Sequence, residues 1–400
     1  MVKSLTSYIP VTLAVVLAVT LGFFDAQNHP TKQFFSNESL QSMRTLNFEY
    51  QIVIEDLTAP SSSPLMSELF KADVLLPSQT ADRSNKGLVV TLDSSITDSK
   101  MLLLQPVKPL TDEELRNVAE AYNQVIPEFT NVELDQDVAL ESIIYDWELF
   151  PTEKSAQVDL SSSVDEPVKV AVIDSGIDTS HEVFASSSVH SGWNTITGDE
   201  TMYDDVGHGT HIAGLIAMHA PSAEIYPYKI VDSKGGRLSN VLEAFSRAID
   251  DDVDVINTSF GLSSQSYALG EIVEKAYKDG IIVVSASGNS GADTTFYPAY
   301  YENTIAVAGV DASNHKMPSS NFGDWVDVAA YGYHVRSALP NNLYGYKSGT
   351  SQATAIVSGA VANLLADSAV EMSFNDVLVA LKASTEQIPD GELAGLAVIE

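Results

Sequence analysis

The pattern of apolar and polar residues divides the chain into three stretches. The first is an apolar run from Tyr8 to Phe24 that follows Lys3, a combination typical of a secretory signal or an uncleaved signal anchor. In the second, from about residue 45 to 146, a capping box at Thr111 predicts a helix. Apolar positions that alternate with polar ones predict strands there at Leu46–Ile54, Gly87–Leu92 and Val132–Leu140. We therefore expect a signal peptide or anchor over residues 1–26 and a small α+β domain over residues 27–145.

The third stretch has a different pattern, in which short apolar runs alternate with helical segments. Uninterrupted apolar strands of this kind are typical of a parallel sheet that is covered by helices on both faces. A linker rich in Ser and Asp, residues 151–167, precedes them, and we expect an α/β domain over residues 146–400. The predicted strands are Val168–Ile173, Glu224–Ile230, Val253–Asn257, Ile281–Ser285 and Thr304–Val310.

Composition and charge exclude several classes of function. The chain has 54 Asp and Glu against 21 Lys and Arg, a formal net charge of −33, which disfavours nucleic acids and anionic lipid surfaces as partners. Cysteine is absent, so there are no disulfides, thiolate metal sites or cysteine nucleophiles. The acidic residues are spread over the chain, which indicates a solvated surface and does not identify a chemistry.

Three polar residues stand where an α/β domain places its active site, at strand ends and helix starts. Asp174 ends an apolar strand, His208 lies between glycines before a helix, and Ser351 precedes a long apolar helix. Asp174 and Ser351 have plain structural alternatives, as a cap and as a helix N-cap, and the neighbouring His211 is expected to be a packed histidine or, less favourably, a metal ligand. Together they are the parts for nucleophilic catalysis, in which a base takes the serine proton and a carboxylate orients the base.

From Val168 to about Ala369 the chain resembles the subtilase family of serine proteases. The motifs that match are VAVIDSGID around Asp174, GHGTHIAG around His208 and SGTSQA around Ser351. A fourth motif, SASGNSG, would supply Asn289 as the donor to the oxyanion. The resemblance implies an α/β fold with a subtilisin-like parallel sheet flanked by helices, and a serine endopeptidase activity through an Asp-His-Ser triad.

The resemblance also assigns a substrate cleft. Ser259, Phe260 and Gly261 would pair with an extended polypeptide and form one wall of the first specificity pocket. Ala286 and Gly288 would form the opposite wall. Small residues on both walls predict an open pocket for a medium or large apolar side chain.

The sequence departs from the family in ways that affect metal binding more than catalysis. Gln352 follows the serine where the family has Met, and Ala355-Ile356 replace its Pro-His. We expect no required cofactor and no metal site in the catalytic machinery. Calcium is possible, but the family's usual calcium loop is reduced and Val183 stands where its carboxylate is expected. The acidic residues that could hold another cation, or simply be solvated, are Asp199, Glu200, Asp204 and Asp205.

The resemblance further implies that the 27–145 region is a propeptide that assists folding, inhibits the site and is cut off by the enzyme between Leu140 and Tyr145. A permanent accessory domain is the alternative. We expect an exported protein, secreted or associated with the cell envelope, that contacts a membrane only if residues 8–24 are retained. The rival functions are a non-catalytic protease-like binding module and a membrane-anchored processing protease with few substrates.

Overall fold

The protein is described from a computed structural model. The chain divides into two compact units, Met1–Asp135 and Gln136–Glu400. The predicted signal segment, the strand at Leu46–Ile54, residues 141–145 and most of the linker lie outside the described residues, so these remain predictions. The structure describes residues 72–74, 87–92, 101–104, 111–113, 115–116, 119, 130–140, 167–185, 187–383 and 386–399.

The first unit contains, within its described residues, an antiparallel sheet in the order β1-β3-β2-β4. Helical residues at 112–113, 115–116 and 119 confirm that the capping box at Thr111 begins a helix. Strand and helix therefore both occur here, as the α+β prediction requires. The strands are β1 Ala72–Val74, β2 Leu88–Leu92, β3 Met101–Leu104 and β4 Thr130–Leu134.

The prediction of one strand over Val132–Leu140 is wrong. The chain forms two strands, β4 and then β5 (Asp137–Leu140), separated by Asp135 and Gln136. Strand β4 pairs with β2 in the first unit, whereas β5 belongs to the second unit and pairs there with β11 (Gly235–Arg237) and β13 (Phe260–Gly261). The alternation of apolar residues continues through the break, so it gave no sign that the partner changes.

The second unit is built on a parallel sheet that, among the described residues, has nine strands. Its order is β19-β16-β15-β14-β12-β6-β9-β7, with β8 also paired to β9. The strands are β6 Lys169–Asp174, β7 Ser188–Val189, β8 Trp193–Asn194, β9 Glu224–Lys229, β12 Val255–Thr258, β14 Ile282–Ala286, β15 Ile305–Val310, β16 Val328–Tyr331 and β19 Val398–Ile399.

Helices cover this sheet because its strands are apolar on both faces. In β6, Val170 and Val172 belong to the core that includes side chains of α1 and α4, and the intervening Ala171 and Ile173 are buried as well. The α/β prediction is therefore confirmed, as are the five predicted strands to within two residues at each end. The helices are α1 Gly209–His219, α2 Leu238–Asp250, α3 Tyr267–Lys278, α4 Thr350–Asp367 and α5 Phe374–Lys382.

Two small antiparallel sheets complete the second unit. One joins β17 to β18 as a hairpin before α4. The other has the order β10-β11-β5-β13 and lies beside the carboxyl end of β12. No helix among the described residues has the length and apolarity to cross a membrane. The strands are β10 Val231–Asp232, β11 Gly235–Arg237, β13 Phe260–Gly261, β17 Val335–Leu339 and β18 Leu343–Lys347.

Candidate active site

Asp174 and His208 form a buried pair at the carboxyl edge of the parallel sheet. Both Asp174 carboxylate oxygens lie close to His208 Nδ1, at 2.7 and 2.9 Å, and both side chains are about 1% exposed. Asp174 Oδ1 also accepts a 2.7 Å bond from the Ser175 backbone N–H. Such a carboxylate fixes the ring orientation and favours the proton on Nδ1, which makes Nε2 the basic nitrogen.

The close approach of strand β6 to helix α1 depends on Gly209. A Cβ on Gly209 would overlap the Gly176 carbonyl oxygen and would lie 3.2 Å from Asp174 Cβ. Because no side chain larger than hydrogen fits there, the GHG sequence is what lets His208 reach the carboxylate.

His208 Nε2 is buried and has no hydrogen-bond partner among the described residues. In a histidine with only a structural role, a buried ring nitrogen without a hydrogen-bond partner costs free energy. A general base, in contrast, needs such a nitrogen to accept a proton. The pair therefore has a free acceptor directed away from Asp174.

Ser351 is fully buried in the first turn of α4, but it does not cap the helix. The N-cap is Gly349, and Ser351 Oγ donates to the Ser259 carbonyl at 3.0 Å. Ser259 Oγ in turn donates to the Ser351 carbonyl at 3.1 Å. The alternative of Ser351 as an N-cap is thus wrong, and its hydroxyl is held against the strand end at Ser259.

Asn289 is joined to the start of α4 by a hydrogen bond with Thr350, the residue before Ser351. The Thr350 backbone N–H donates to Asn289 Oδ1 at 3.0 Å, which orients the carboxamide. Thr350 Oγ1 accepts a 3.3 Å bond from the Gly288 N–H. These bonds join the loop after β14 to the start of α4, so the predicted oxyanion donor and the predicted nucleophile are on adjoining segments.

The sheet register brings the Asp174–His208 pair and the contact between Ser351 and Ser259 to one edge of the parallel sheet. Strands β6 and β12 are parallel neighbours, with Ile173 opposite Thr258. The residues that follow are Asp174 and Ser259, so the carboxylate and the strand end that contacts Ser351 leave the sheet side by side.

The predicted first specificity pocket is filled by a side chain that sequence reasoning missed. Phe296 is 8% exposed, and a Cβ on Gly261 would overlap its ring, while a Cβ on Gly288 would lie 3.2 Å from its Cγ. The ring therefore occupies the space between the two predicted walls. The expectation of an open pocket is wrong, because the small wall residues make room for Phe296.

The chain's own strand β5 lies along the predicted substrate wall. It pairs antiparallel with β13, with Leu140 opposite Phe260 and Ala139 opposite Gly261. On its other side it pairs antiparallel with β11, with Val138 opposite Gly236. An extended segment thus adds a strand between two edges, which is the geometry expected for a bound peptide.

Of the four acidic residues before His208, Asp199 and Glu200 are exposed, as expected of solvated carboxylates, whereas Asp204 and Asp205 are held by hydrogen bonds within the fold. Asp204 is 3% exposed and accepts five hydrogen bonds of 2.6–3.2 Å. The donors are Ser175 Oγ, the N–H groups of Val206, Gly207 and Thr210, and Thr210 Oγ1. Its carboxylate therefore fixes the turn into α1. No three His, Asp or Glu residues group as a metal site in the described part of the chain.

Lys229 connects the end of β6 to the same turn. Its Nζ donates to Asp205 Oδ1 at 2.7 Å, to the Ser175 carbonyl at 2.7 Å and to the Tyr203 carbonyl at 2.8 Å. Burial alone would raise the pKa of Asp205, but hydrogen bonds from Lys229 and Ser233 and the Lys229 charge outweigh it and hold that pKa well below its usual range. A lone lysine at the end of an apolar strand was the available sequence signal.

His211 is a packed histidine. It is 0% exposed, and its Nε2 lies 3.2 Å from the Val335 carbonyl of the hairpin. Burial, followed by the charge of the nearby Lys347, holds the pKa of His211 well below 6.5. The ring is therefore neutral, and it joins α1 to β17.

Comparison with known proteins identifies the fold and its family. The model of the subtilase family matches residues 165–388, which is more than half of the chain. The chain belongs to the subtilase family. A crystal structure of a cold adapted subtilisin-like serine proteinase superposes with a TM-score of 0.55 at 26% identity, over 63% of this chain and 94% of that one. A crystal structure of a lanthipeptide protease gives 0.54 at 28% identity, over 58% and 85%.

Sequence relatives within this family include subtilisins. Subtilisin NAT of Bacillus subtilis subsp. natto is 42% identical over 213 residues, which cover 50% of this chain and 55% of that protein. Subtilisin of Bacillus pumilus is 41% identical over 213 residues, which cover 50% and 76%. The chain thus spans about half the length of the first of these subtilase relatives.

Proposed function

We propose that this subtilase is a serine endopeptidase that uses Asp174, His208 and Ser351. The observation that carries the proposal is the buried Asp174–His208 pair, whose outward nitrogen Nε2 is an acceptor with no described partner. Ser351 Oγ lies at the adjoining strand end, held by Ser259. Turning the hydroxyl from Ser259 towards His208 completes a nucleophile and base, and such contacts are commonly loose before substrate binds.

The reaction follows from these positions. His208 Nε2 takes the Ser351 proton as Oγ attacks the peptide carbonyl, and the oxyanion is bound by Asn289 Nδ2 and the Ser351 N–H at the start of α4. His208 then protonates the leaving amine, and water hydrolyses the acyl-enzyme by the reverse sequence. Asp174 stabilises the imidazolium that forms in both steps.

The test is covalent labelling combined with hydrolysis. The purified wild-type chain should react with a fluorophosphonate at Ser351 and hydrolyse a peptide amide, whereas Ser351→Ala should do neither. Ser358→Ala is a matched control, because Ser358 is a buried serine of the same helix whose Oγ bonds Asn257. A folded wild-type chain that is neither labelled nor active would contradict the proposal and favour the non-catalytic binding module.

We infer further that the chain matures itself. Strand β5 pairs on both sides with strands of the catalytic unit and ends at Leu140, next to the wall that holds Ser351. A cut between Leu140 and Tyr145 would release the part of the chain before the cut as a propeptide. Purified wild-type chain should convert to a shorter form while Ser351→Ala stays intact; conversion of the Ser351→Ala chain to the same fragment would disprove self-processing.

A processing protease with few substrates is the second candidate for the same chemistry. One observation favours it: Phe296 fills the first specificity pocket, which would accept many apolar side chains if it were open. The similarity to a protein described as a lanthipeptide protease agrees with such a role. Export, and anchoring if residues 8–24 are retained, are tested by sequencing the amino terminus of the exported protein.

We propose that the chain needs no calcium at the position usual for the family, because the residues there do not suit the ion. Val183 lies in a short 3₁₀ helix, Glu182–Phe184, and packs against the apolar core. Helix α1 ends at His219 and β9 begins at Glu224, which leaves a connection of four residues. An apolar side chain and a short turn offer few of the oxygen ligands that calcium requires.

A further inference from the structure

Two glycines flank the place where the proposed reaction holds the carbonyl group of a substrate. Gly261 lies two residues after Ser259, whose carbonyl accepts the Ser351 hydroxyl at 3.0 Å. Gly288 directly precedes Asn289, the proposed oxyanion donor. The side chain of the residue before the cut begins only two bonds from the attacked carbonyl carbon. It therefore enters the space between the two glycines.

The ring of Phe296 already occupies this space. A Cβ placed on Gly261 would overlap Cε1 of the ring and would lie 2.7 Å from its Cζ. A Cβ placed on Gly288 would lie 3.2 Å from Cγ of the same ring. Because the ring reaches both glycines and Phe296 is only 8% exposed, the space between them has no room for a second large side chain.

The backbone that carries this ring is held on both sides. Tyr297 exchanges two hydrogen bonds with Leu262, the residue after Gly261: its N–H donates at 3.0 Å and its carbonyl accepts at 2.8 Å. The Phe296 carbonyl accepts the Tyr300 N–H at 2.8 Å. The ring is thus attached to the wall that Gly261 belongs to. Turning it out of the space would expose a buried aromatic side chain to water, which costs free energy.

Asn321 holds the opposite wall in place. It is 1% exposed, its Nδ2 donates to the Ser287 carbonyl at 2.9 Å, and its Oδ1 accepts the Ser290 N–H at 2.9 Å. Its own N–H donates to the Gly288 carbonyl, also at 2.9 Å. Moving this wall away from the ring would break these hydrogen bonds. The space therefore cannot widen at low cost on either side.

We propose, on the basis of the function proposed above, that Phe296 determines the specificity of the enzyme by restricting the residue before the cut to glycine or alanine. These residues place at most one methyl group beside the ring. In an extended peptide whose carbonyl is held by Ser351 and Asn289, the direction of each side chain is fixed, so a larger one cannot avoid the ring. It has to displace the ring, and the transition state loses that free energy.

The first experiment measures the preference of the purified wild-type enzyme. The substrates are acetyl-Ala-Ala-Ala-Xaa peptides that end in a fluorogenic amide, which releases its fluorophore only when the bond after Xaa is cut. We measure kcat/KM with Xaa as Gly, Ala, Leu or Phe. The Ala peptide should exceed the Leu and Phe peptides by at least about tenfold. A Leu or Phe peptide that is cut as fast as the Ala peptide would overturn the inference.

The second experiment attributes the preference to the ring and needs no peptide hydrolysis. Peptide boronic acids that end in Ala or Phe are tested for protection of Ser351 against fluorophosphonate labelling. In the wild type the Ala compound should protect at a concentration at least about tenfold lower than the Phe compound, and in Phe296→Ala this order should reverse. Phe374→Ala is the matched control, because Phe374 is 9% exposed and packs against Tyr277 in the core, and it should keep the wild-type order. A Phe296→Ala enzyme with the wild-type order would count against the role of the ring.

Failure of this inference is distinct from failure of the proposed function. A wild-type chain that is labelled at Ser351 and cuts after Leu or Phe as readily as after Ala overturns the inference alone. A folded wild-type chain that is neither labelled nor active overturns both. If Phe296→Ala does not fold, the wild-type peptide series decides the inference by itself.

Discussion

Lys229 should be the most costly single charge to remove near the active site. It is 6% exposed at its side chain and donates three short bonds, to Asp205 and to the carbonyls of Ser175 and Tyr203. Lys229→Met keeps most of the aliphatic stem but leaves a carboxylate and two carbonyls without their donor. Breaking a buried pair in this way costs about 3–5 kcal/mol. Asp205 is 25% exposed, so water recovers part of its solvation, and we expect about 3 kcal/mol.

The assay is urea unfolding followed by tryptophan fluorescence, with Ser351→Ala as the background to prevent self-digestion. Lys234→Met is the matched control, because Lys234 is an exposed lysine of the following turn, and it should change the free energy of unfolding by less than about 0.5 kcal/mol. Adding Asp205→Asn to Lys229→Met should restore about 1–2 kcal/mol, since no unpaired charge remains. A loss below about 1 kcal/mol for Lys229→Met, or no recovery in the double variant, would refute the reasoning.

Four further outcomes are expected. Asp174→Asn should lower kcat by about 10⁴ with unchanged circular dichroism, because the orientation and tautomer of His208 are lost; a loss under tenfold in peptide hydrolysis would contradict the triad. Phe296→Ala should open the filled pocket and raise kcat/KM for peptides with Phe before the cut at least about tenfold relative to peptides with Ala there, and an unchanged ratio would mean that the ring does not limit the pocket. Because the pKa of Asp205 is lowered in the folded chain, its ionised carboxylate stabilises the fold. This stabilisation is complete at pH values above the ordinary pKa of 3.8 and declines as the pH falls below 3.8. Urea unfolding from pH 6 to pH 3 should therefore weaken the wild type more than Asp205→Asn, and parallel curves would exclude this contribution. Treatment with EDTA should leave the thermal midpoint within about 1 °C, since no calcium is expected at the usual site; a drop of several degrees, reversed by calcium, would show otherwise.

The strands and the catalytic candidates were predictable because each leaves a local pattern. A parallel strand that is buried on both faces reads as an apolar run, and β6 was predicted at Val168–Ile173 and lies at Lys169–Asp174. Asp174 and His208 were predictable for a related reason, since glycines mark the places where backbone segments must approach closely. Both signals come from residues adjacent in sequence.

The supporting contacts were not predictable because their partners are distant in sequence. Asp204 is buried through bonds that include Ser175, 29 residues away, and by composition alone it resembles any surface carboxylate. Phe296 lies in a loop and fills the pocket only because Gly261 of strand β13 leaves the space for its ring. The break between β4 and β5 was missed because apolar alternation records which face is buried and carries no information on which strand is the partner.

The separation of the active residues along the chain has a consequence for synthesis. Asp174 ends the first strand of the parallel sheet and His208 directly precedes helix α1, whereas Ser351 lies in the first turn of α4. At about 5–20 residues per second, the 143 positions from His208 to Ser351 take roughly 7–30 s to emerge from a ribosome. During that interval the base exists without its nucleophile, and Ser351 is positioned only by pairing with a strand end made earlier. With the function proposed above, the nascent chain therefore cannot cleave its neighbours before Ser351 has emerged and has paired with Ser259.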